Sequence, residues 1–349
     1  NSEVGLVFNP AVGEQIAVVE FATKTSVDQA VSSALDAFAS WSKTPPVIRA
    51  RILFKFKNLL EENKDRLARC ITTQHGKVLS DAQGELNRGI EVVEFACGIP
   101  HLQKGDYSLN VGRDVDSYSL MQPLGVCLGI TPFNFPVMVP MWMFPVSIAC
   151  GNTFILKPSE KDPGPALILA DLLKEAGLPS GVFSVVNGNK NTVDHLLSHN
   201  DIQAISFVGS TPVAEDIYGR ASKNGKRCQA LGGAKNHLVV MPDANTSEVV
   251  NALTGSAFGS AGERCMAISV AVCVGKQVAN KTVDALKEAS ENLRIGPGLS
   301  DDLNPHLGPL ITHDHKNKVT NYIATGIQEG AQLIVDGRNA KITNAGNGY

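Results

Sequence analysis

Residues 125–136, with the sequence GVCLGITPFNFP, decide the fold. A short run that is apolar without interruption, here Val126 to Ile130, is typical of a strand buried on both faces of a parallel sheet. The turn after it holds Asn134 between aromatic residues and prolines, which restrict its backbone. We therefore predict that this turn lies at the carboxyl edge of a sheet, where ligands of open α/β sheets bind.

Similar apolar runs recur downstream and alternate with helical patterns. The predicted strands are 126–130, 154–156, 182–186 and 205–208, and the predicted helices are 164–176, 192–199 and 212–222. This βαβ repetition predicts an α/β fold with a doubly wound, Rossmann-like parallel sheet. The dinucleotide fingerprint G-x-G-x-x-G is missing, which does not exclude a nucleotide.

The residues before this region are predicted to be mostly helical. The expected amphipathic helices span 26–41, 47–71 and 78–97. Ser26 and Gln29 form a capping-box pattern at the start of the first. The apolar stretch 133–150 is interrupted by prolines, so we expect it in the core and not in a membrane. Val115 to Met121 alternates polar and apolar residues, which predicts a strand with one wet face that pairs with a partner.

A second informative stretch, Phe258 to Ala267 (FGSAGERCMA), places Cys265 among small residues. It joins a helical pattern at 246–257 to a β-branched run at 268–274, so we predict a tight helix-to-strand turn. Small residues permit a ligand to approach the thiol closely, and the nearby amide groups with Arg264 favour the reactive thiolate. The alternative is a buried cysteine with a structural role only.

Composition argues against several classes of protein and site. The net charge of −3 gives no reason to expect a nucleic-acid or membrane partner. The seven cysteines include no C-x-x-C pair, which favours free thiols in a cytoplasmic compartment, or in the mitochondrial matrix if the source is eukaryotic. His313 and His315 have no further ligands at recognisable spacing, so we expect an exposed loop and no metal site.

The length of 349 residues allows two domains, and we predict a boundary near Arg227. The elements predicted after it are strands at 238–241 and 268–274 and helices at 246–257 and 278–293. The chain begins at Asn1 without methionine and stops at Tyr349 within a pattern, so we expect a fragment truncated at its C-terminus.

Three polar residues at predicted strand ends are candidate nucleotide contacts. Lys157 and Glu160 follow a buried strand together, and such a pair suits the hydroxyls of a ribose. Ser210 precedes a predicted helix, whose N-terminus suits a phosphate. Each pattern taken alone is also consistent with ordinary turn chemistry.

Four motifs, in this order and spacing, resemble those of the aldehyde dehydrogenase superfamily. They are PFNFP (132–136), KPSE (157–160), FVGST (207–211) and the small-residue turn before a single cysteine (259–265). Three further stretches are most similar to the methylmalonate-semialdehyde dehydrogenases, the branch that acylates coenzyme A. They are GSAGERCMA (259–267), AKNH (234–237) and RGIE (88–91). The resemblance implies an NAD-binding domain over 1–227, with oligomerisation strands at about 107–124, and a catalytic domain over 228–349.

The resemblance also implies roles for individual residues. Cys265 is the expected nucleophile, and Asn134 and the Cys265 backbone N–H are the expected oxyanion donors. Arg88 and Arg264 are expected to clamp the substrate carboxylate, although by its pattern alone Arg88 is a solvated charge. The expected cofactor contacts are Thr131, Phe133, Lys157, Glu160, Lys161, Ser210 and Gly232. The cofactor is expected to be NAD and not NADP, because Glu160 would repel a 2′-phosphate.

One departure from the superfamily pattern bears on the reaction. Most aldehyde dehydrogenases carry Glu-Leu-Gly-Gly-Lys, whose Glu activates the water that hydrolyses the thioester. Here Leu231 stands at that place, or Ala230 if the alignment slips by one residue, and neither is a base. Because no base is there to activate water, the thioester is expected to react with a better nucleophile, such as the thiol of coenzyme A. The expected reaction is NAD-dependent oxidation of malonate or methylmalonate semialdehyde with loss of carbon dioxide, giving acetyl- or propionyl-coenzyme A.

Two alternatives stay open at this point. A hydrolytic semialdehyde dehydrogenase would use another base and release a free acid. A nucleotide-binding or structural relative would keep the fold without the chemistry, although it would have no need of Cys265 and Asn134. The resemblance further implies a homodimer or homotetramer that acts on a small-molecule semialdehyde. It also places the family's Glu-x-Phe-Gly-Pro stretch, which holds the nicotinamide ribose, beyond Tyr349.

Overall fold

The computed structural model describes residues 3–300, 302–340, 342 and 347–349. The chain divides into two compact units. The first comprises Asn1–Gly5, Val18–Leu67 and Gly84–Gly232, and the second comprises Leu6–Ala17, Ala68–Gln83 and Gly233–Tyr349.

Residues 24–102 form five successive helices, and strands and helices alternate mainly from residue 126 onward. The strands are β1 Val4–Asn9, β2 Glu14–Glu20, β3 Tyr107–Gly112, β4 Val115–Tyr118, β5 Val126–Ile130, β6 Thr153–Lys157, β7 Phe183–Val185, β8 Ile202–Val208, β9 Arg227–Leu231, β10 Asn236–Val240 and β11 Ile268–Cys273. The helices are α1 Lys24–Trp41, α2 Pro46–Glu62, α3 Lys64–His75, α4 Leu79–Cys97, α5 Ile99–Leu102, α6 Met138–Ala149, α7 Gly164–Glu175, α8 Lys190–Ser198, α9 Thr211–Lys223, α10 Thr246–Phe258, α11 Lys276–Glu291 and α12 His313–Gln328. None of the helices in this part of the chain has the length and apolar content that crossing a bilayer requires.

A five-stranded parallel sheet forms the centre of the first unit, in the order β7-β6-β5-β8-β9. β5 and β6 are buried along their whole length, as their continuous apolar runs predict. The chain runs outward from β5 to β7 and then returns to the other side of β5 to form β8. The carboxyl ends of β5 and β8 therefore flank the switch point at which doubly wound sheets bind ligands, and the predicted fold class is confirmed.

Two helical predictions need correction. α1 begins at Lys24, and its cap is Thr23, whose Oγ1 accepts the Ser26 N–H at 3.2 Å, so Ser26 lies inside the helix and opens no capping box. The single helix predicted over 47–71 is two helices. Asn63 ends α2 because its backbone leaves the helical region and its side-chain amide donates to the Leu59 carbonyl at 2.9 Å.

The second unit contains a βαβ arrangement. β10 and β11 pair in parallel, and α10 connects them. The division from the first unit falls between Gly232 and Gly233, five residues after the predicted boundary at Arg227. The physical reason is that Arg227 opens β9, which is the edge strand of the first sheet.

β3 and β4 form an antiparallel hairpin in the first unit. Of the strand predicted at 115–121, only Val115–Tyr118 is present, as β4, and it differs from the prediction in being exposed on both faces. The hairpin presents apolar side chains to solvent, among them Leu109, which is 68% exposed. Paired strands of this kind need a further apolar surface for stability.

Candidate active site

A cleft of about 690 Å³ lies at the carboxyl ends of β5, β6 and β8 in the first unit. We call it the strand-end cleft. Its wall includes six of the seven residues predicted to contact the cofactor, namely Thr131, Phe133, Lys157, Glu160, Lys161 and Ser210. They meet there because each follows or ends a strand of the same sheet, and the strands are parallel. The cleft has the size typical of small-molecule sites.

Lys157 and Glu160 form a fixed pair in this cleft. Lys157 ends β6 and is 6% exposed, and its Nζ lies 3.3 Å from Glu160 Oε2. Burial lowers the pKa of Lys157, and the negative charges of Glu160 and Asp162 oppose that shift. A buried ammonium held by a partly exposed carboxylate is suited to ribose hydroxyls, because one group donates and the other accepts.

The Thr131–Phe133 turn is fastened to the same edge. The Thr131 N–H donates to the Lys157 carbonyl at 3.1 Å, and Lys161 Nζ lies 4.9 Å from the centre of the Phe133 ring. Thr131 Oγ1 is buried and has no hydrogen-bond partner among the described residues. A buried hydroxyl without a partner in a cleft wall is the kind of group that a bound ligand satisfies.

The N-terminus of α9 contributes the cleft's site for negative charge. Ser210 is the cap residue, with extended backbone, and it makes no side-chain cap. Helix N-termini attract phosphate through their N–H groups and dipole. Gly232, the seventh predicted contact, is not in the cleft wall. A Cβ at that position would lie 3.0 Å from Thr211 Oγ1, so its small size permits the first turn of α9 to pack closely.

Cys265 lies in the second unit, in the helix-to-strand turn that the sequence predicts. We call residues 259–265 the cysteine turn. Cys265 is partly exposed, and Asn236 Nδ2 donates to its carbonyl at 2.9 Å and to that of Ala267 at 3.0 Å. The partial exposure argues against a sealed structural cysteine and suits a reactive one.

The backbone of the cysteine turn is strained. Ser260 and Ala261 both have φ of 54°, in the left-handed region. For residues other than glycine this conformation costs roughly 1–2 kcal/mol each. It persists only where contacts with the surroundings hold it, and such strain clusters at functional sites.

Arg264 is held by a residue that the sequence analysis missed. Its Nη2 lies 2.7 Å from Asp81 Oδ1, and the Ser260 N–H donates to Asp81 Oδ2 at 2.8 Å. The guanidinium also lies against Gly259, where an added Cβ would be 2.5 Å from Cζ. No local pattern marks Asp81, because its partners lie about 180 positions away in the chain.

A second acidic side chain, the buried Glu263, also makes contacts that hold this turn. It is 8% exposed, and its Oε1 accepts the Ile311 N–H at 3.3 Å. His315 Nε2 lies 3.5 Å from the same oxygen, and His75 Nε2 lies 3.7 Å from Oε2. The expectation of an exposed loop at His313 and His315 was therefore wrong. Both residues open α12, and packing against Glu263 covers His315 in part.

The distance between His75 and Glu263 fits an ion pair, but the environment opposes one. Burial lowers the pKa of His75 well below its usual value, and the charge of Lys77 lowers it further. We therefore assign a neutral imidazole at neutral pH. In the described part of the chain, no three His, Cys, Asp or Glu side chains are grouped so that they could hold a metal ion.

This assignment predicts how stability depends on pH. The unfolded chain takes up a proton on His75 near pH 6.5, whereas the folded chain does so only at a lower pH. The contribution of His75 to the free energy of unfolding is therefore fully present above about pH 6.5 and is lost as the pH falls below it. In His75→Gln the free energy of unfolding is expected to fall less steeply below about pH 6.5, with a slope smaller by up to about 1.4 kcal/mol per pH unit. Urea unfolding of the full-length protein between pH 5 and 7.5 measures it, with His101→Gln on α5 as the exposed control. An unchanged slope in His75→Gln contradicts the assignment.

The other predicted site residues are distributed between the units. Asn134 follows Phe133 in the first unit and is partly buried. Arg88 also lies there, with its side chain 72% exposed and its Nη1 3.5 Å from Glu91. Leu231 ends β9 and is 45% exposed. The action of Asn134 and Arg88 together with Cys265 and Arg264 stays a prediction.

Comparison with known proteins supplies the remaining observation. The family model described as "Aldehyde dehydrogenase family" matches residues 1–349. The chain is 54% identical over 343 residues to a malonate-semialdehyde dehydrogenase of Pseudomonas aeruginosa, covering 98% of this chain and 69% of that protein. The crystal structure of the methylmalonate-semialdehyde dehydrogenase DddC from Oceanimonas doudoroffii matches with a TM-score of 0.97 and 55% identity, over 100% of this chain and 71% of that one. A protein from Sinorhizobium meliloti 1021, described as a methylmalonate-semialdehyde dehydrogenase and crystallised with NAD, matches with a TM-score of 0.97 and 50% identity. The match covers 99% of this chain and 70% of that one.

Proposed function

The chain belongs to the aldehyde dehydrogenase family, and from this premise we propose that it is the coenzyme-A-acylating dehydrogenase of malonate or methylmalonate semialdehyde. The observation that carries the proposal is a partly exposed cysteine in a strained turn, combined with Leu231, or Ala230 if the alignment slips by one residue, where the hydrolytic enzymes are expected to have their base. Relatives that are 49–54% identical and carry the name malonate-semialdehyde dehydrogenase support it.

The cofactor is NAD, as in the complex of the Sinorhizobium meliloti relative. The strand-end cleft fits it, since it offers the Lys157–Glu160 pair for a ribose, the α9 N-terminus for phosphate and the unsatisfied Thr131 hydroxyl. When bound, NAD supplies the acceptor for the hydride of the aldehyde. Glu160 disfavours a further phosphate on that ribose, because two negative charges would meet at one edge of the sheet.

The covalent chemistry is assigned to Cys265. Its thiolate adds to the aldehyde carbon, and the resulting alkoxide is stabilised by the Asn134 side-chain amide and the Cys265 backbone N–H. Departure of hydride from that carbon regenerates a carbonyl and leaves a thioester on Cys265. The β-carboxylate leaves as carbon dioxide, and the α-carbon that keeps the electron pair takes up a proton from solvent. The thiol of coenzyme A then attacks the thioester, takes the two- or three-carbon acyl group and returns the cysteine with the proton of that thiol.

The substrate carboxylate is assigned to Arg88 and Arg264. Guanidinium groups suit this role, since they stay charged and bind carboxylates through two parallel hydrogen bonds. Asp81 and the Gly255 carbonyl engage Nη2 and Nη1 of Arg264, whereas its buried Nε has no hydrogen-bond partner among the described residues. A guanidinium has five N–H donors, so Arg264 retains donors for a substrate.

The decisive experiment measures whether turnover requires a thiol. Full-length protein is given malonate semialdehyde and NAD, and NADH is followed with and without coenzyme A. We expect coenzyme A to raise the steady-state rate roughly tenfold or more, with acetyl-coenzyme A as product, because no base at position 231 activates water. Leu231→Glu is expected to restore turnover without coenzyme A and to release free acid, and Leu231→Gln is the matched control.

The two alternatives correspond to other outcomes of this experiment. Equal steady-state rates with and without coenzyme A, and a free acid as sole product, support a hydrolytic semialdehyde dehydrogenase. Absence of NADH under both conditions, together with NAD binding, supports a nucleotide-binding relative. These readings differ in product and not only in rate, so mass spectrometry of the reaction mixture separates them.

Assembly and location are part of the same proposal. The exposed apolar side chains of the β3–β4 hairpin suit burial against another copy of the chain, so we propose a homodimer or homotetramer. Analytical ultracentrifugation of the full-length protein measures its oligomeric state. All seven cysteines are free thiols in the structure, which supports a reducing location, and we propose the cytoplasm.

A further inference from the structure

We propose that Asp81 is a positioning residue for the nucleophile, because its carboxylate closes the cysteine turn and so sets the direction in which Cys265 is presented. The inference rests on the proposed function, since it takes Cys265 to be the reacting group. It adds a residue to the reaction that none of the four sequence motifs contains.

The Asp81 carboxylate contacts two residues of the cysteine turn, and we call this pair of contacts the clasp. Oδ2 of Asp81 accepts the Ser260 N–H at 2.8 Å, and Oδ1 lies 2.7 Å from Arg264 Nη2. One carboxylate thereby joins two residues four positions apart, and the second of them adjoins Cys265. Asp81 stands in the first turn of the helix α4 and belongs, like Ser260 and Arg264, to the second unit.

The clasp acts where the backbone most needs support. Ser260 is 3% exposed and left-handed, and Ala261 after it is left-handed as well. Without an acceptor for the Ser260 N–H, these two residues are free to relax toward right-handed conformations, which redirects the chain before Cys265. The Arg264 guanidinium rests on Gly259, so its rotamer and the path of the turn are coupled.

Other contacts keep the rest of the turn in place when Asp81 is removed. Glu263 binds the Ile311 N–H, and Asn236 binds the Cys265 carbonyl. We therefore expect Asp81 variants to fold and to keep Cys265 near its normal location, but with its thiol misdirected. A displacement of about 1 Å at a reacting group costs roughly 100-fold in rate.

The experiment compares Asp81→Ala and Asp81→Asn with wild type and with Asp284→Asn, an exposed control on α11. Full-length protein is used. The burst of NADH in the first turnover gives two numbers, an amplitude that counts intact sites and a rate per site. We expect Asp81→Ala to lower the rate per site about 10- to 100-fold, with the amplitude and the NAD dissociation constant unchanged. Asp81→Asn keeps the side-chain volume and one acceptor for the Ser260 N–H, so we expect its rate per site to lie between those of Asp81→Ala and wild type.

A second readout follows the thiol directly. Alkylation by iodoacetamide is measured at Cys265 and at Cys273 by peptide mass spectrometry. We expect Asp81→Ala to change the rate at Cys265 by about threefold or more and to leave Cys273 unchanged, because the effect is local. Asp81→Asn supplies the same measurement without a cavity if the alanine variant does not fold.

The outcomes separate this inference from the proposed function. Wild-type rates per site and wild-type alkylation in both Asp81 variants overturn the inference and leave the proposed function intact. A loss of amplitude with an unchanged rate per site also overturns it, since that is the result of a merely structural role. If alkylation of Cys265 leaves wild-type activity intact, the proposed function itself fails.

Discussion

Replacement of Cys265 by alanine is expected to lower kcat by at least about 10⁴-fold while NAD binding is retained. The side chain supplies the only bond between enzyme and substrate in the proposed reaction, so no residual covalent route is left. NAD binding is expected to persist because the strand-end cleft is built from residues of the first unit alone.

The measurement is NADH formation under saturating substrate, coenzyme A and NAD, with NAD affinity from fluorescence titration. Cys273→Ala is the matched control, since it removes another partly exposed thiol only eight residues away on β11. Cys265→Ser serves as a second variant, because its hydroxyl keeps the shape of the side chain but is a far weaker nucleophile. Turnover by Cys265→Ala within about twofold of wild type would show that the protein is not a cysteine-dependent dehydrogenase.

Replacement of Asn134 by alanine is expected to lower kcat about 10²- to 10³-fold, the usual effect of removing one donor to a developing oxyanion. The alkoxide formed by addition of the thiolate would keep only a backbone N–H. Asn134→Asp has nearly the same volume but places a carboxylate beside the alkoxide, so its loss is expected to be at least as large.

This prediction has a distinctive control. Because Asn134 is assigned to the intermediate and not to the thiol, the rate of Cys265 alkylation by iodoacetamide is expected to stay at the wild-type value in Asn134→Ala, which adds no charge near the thiol. Asn251→Ala, at an exposed position of α10, tests for a nonspecific effect of losing an amide. A normal kcat in Asn134→Ala, or alkylation that falls in parallel with kcat, would assign Asn134 to another role.

Much of the first unit could be predicted because its signals are local. The run Val126 to Ile130 is apolar on both faces, and in the structure it is the strand β5 with the same bounds. Parallel strands bring their carboxyl ends to one edge, so Thr131, Lys157 and Ser210 meet in one cleft although they are far apart in the chain. Strand type and turn position were therefore sufficient to place them.

Other features were misjudged because side chains compete with regular structure at single positions. Asn63 interrupts a helical pattern by bonding to the Leu59 carbonyl, and periodicity alone does not register one polar side chain that does so. Likewise Thr23 and not Ser26 caps α1, since both residue types suit a cap and only the backbone conformation distinguishes them.

The amino-acid sequence by itself determined the parallel sheet, the ligand-binding edge, the cysteine in its small-residue turn and the family to which the chain belongs. It did so because periodicity, turn residues and short motifs are properties of neighbouring positions. Only the tertiary structure decided that residues 68–83 belong with the second unit, that Asp81 clasps the cysteine turn and that Glu263 is buried against His75. Those contacts join positions about 180 residues apart, and no pattern confined to either segment specifies a contact that exists only once the chain has folded.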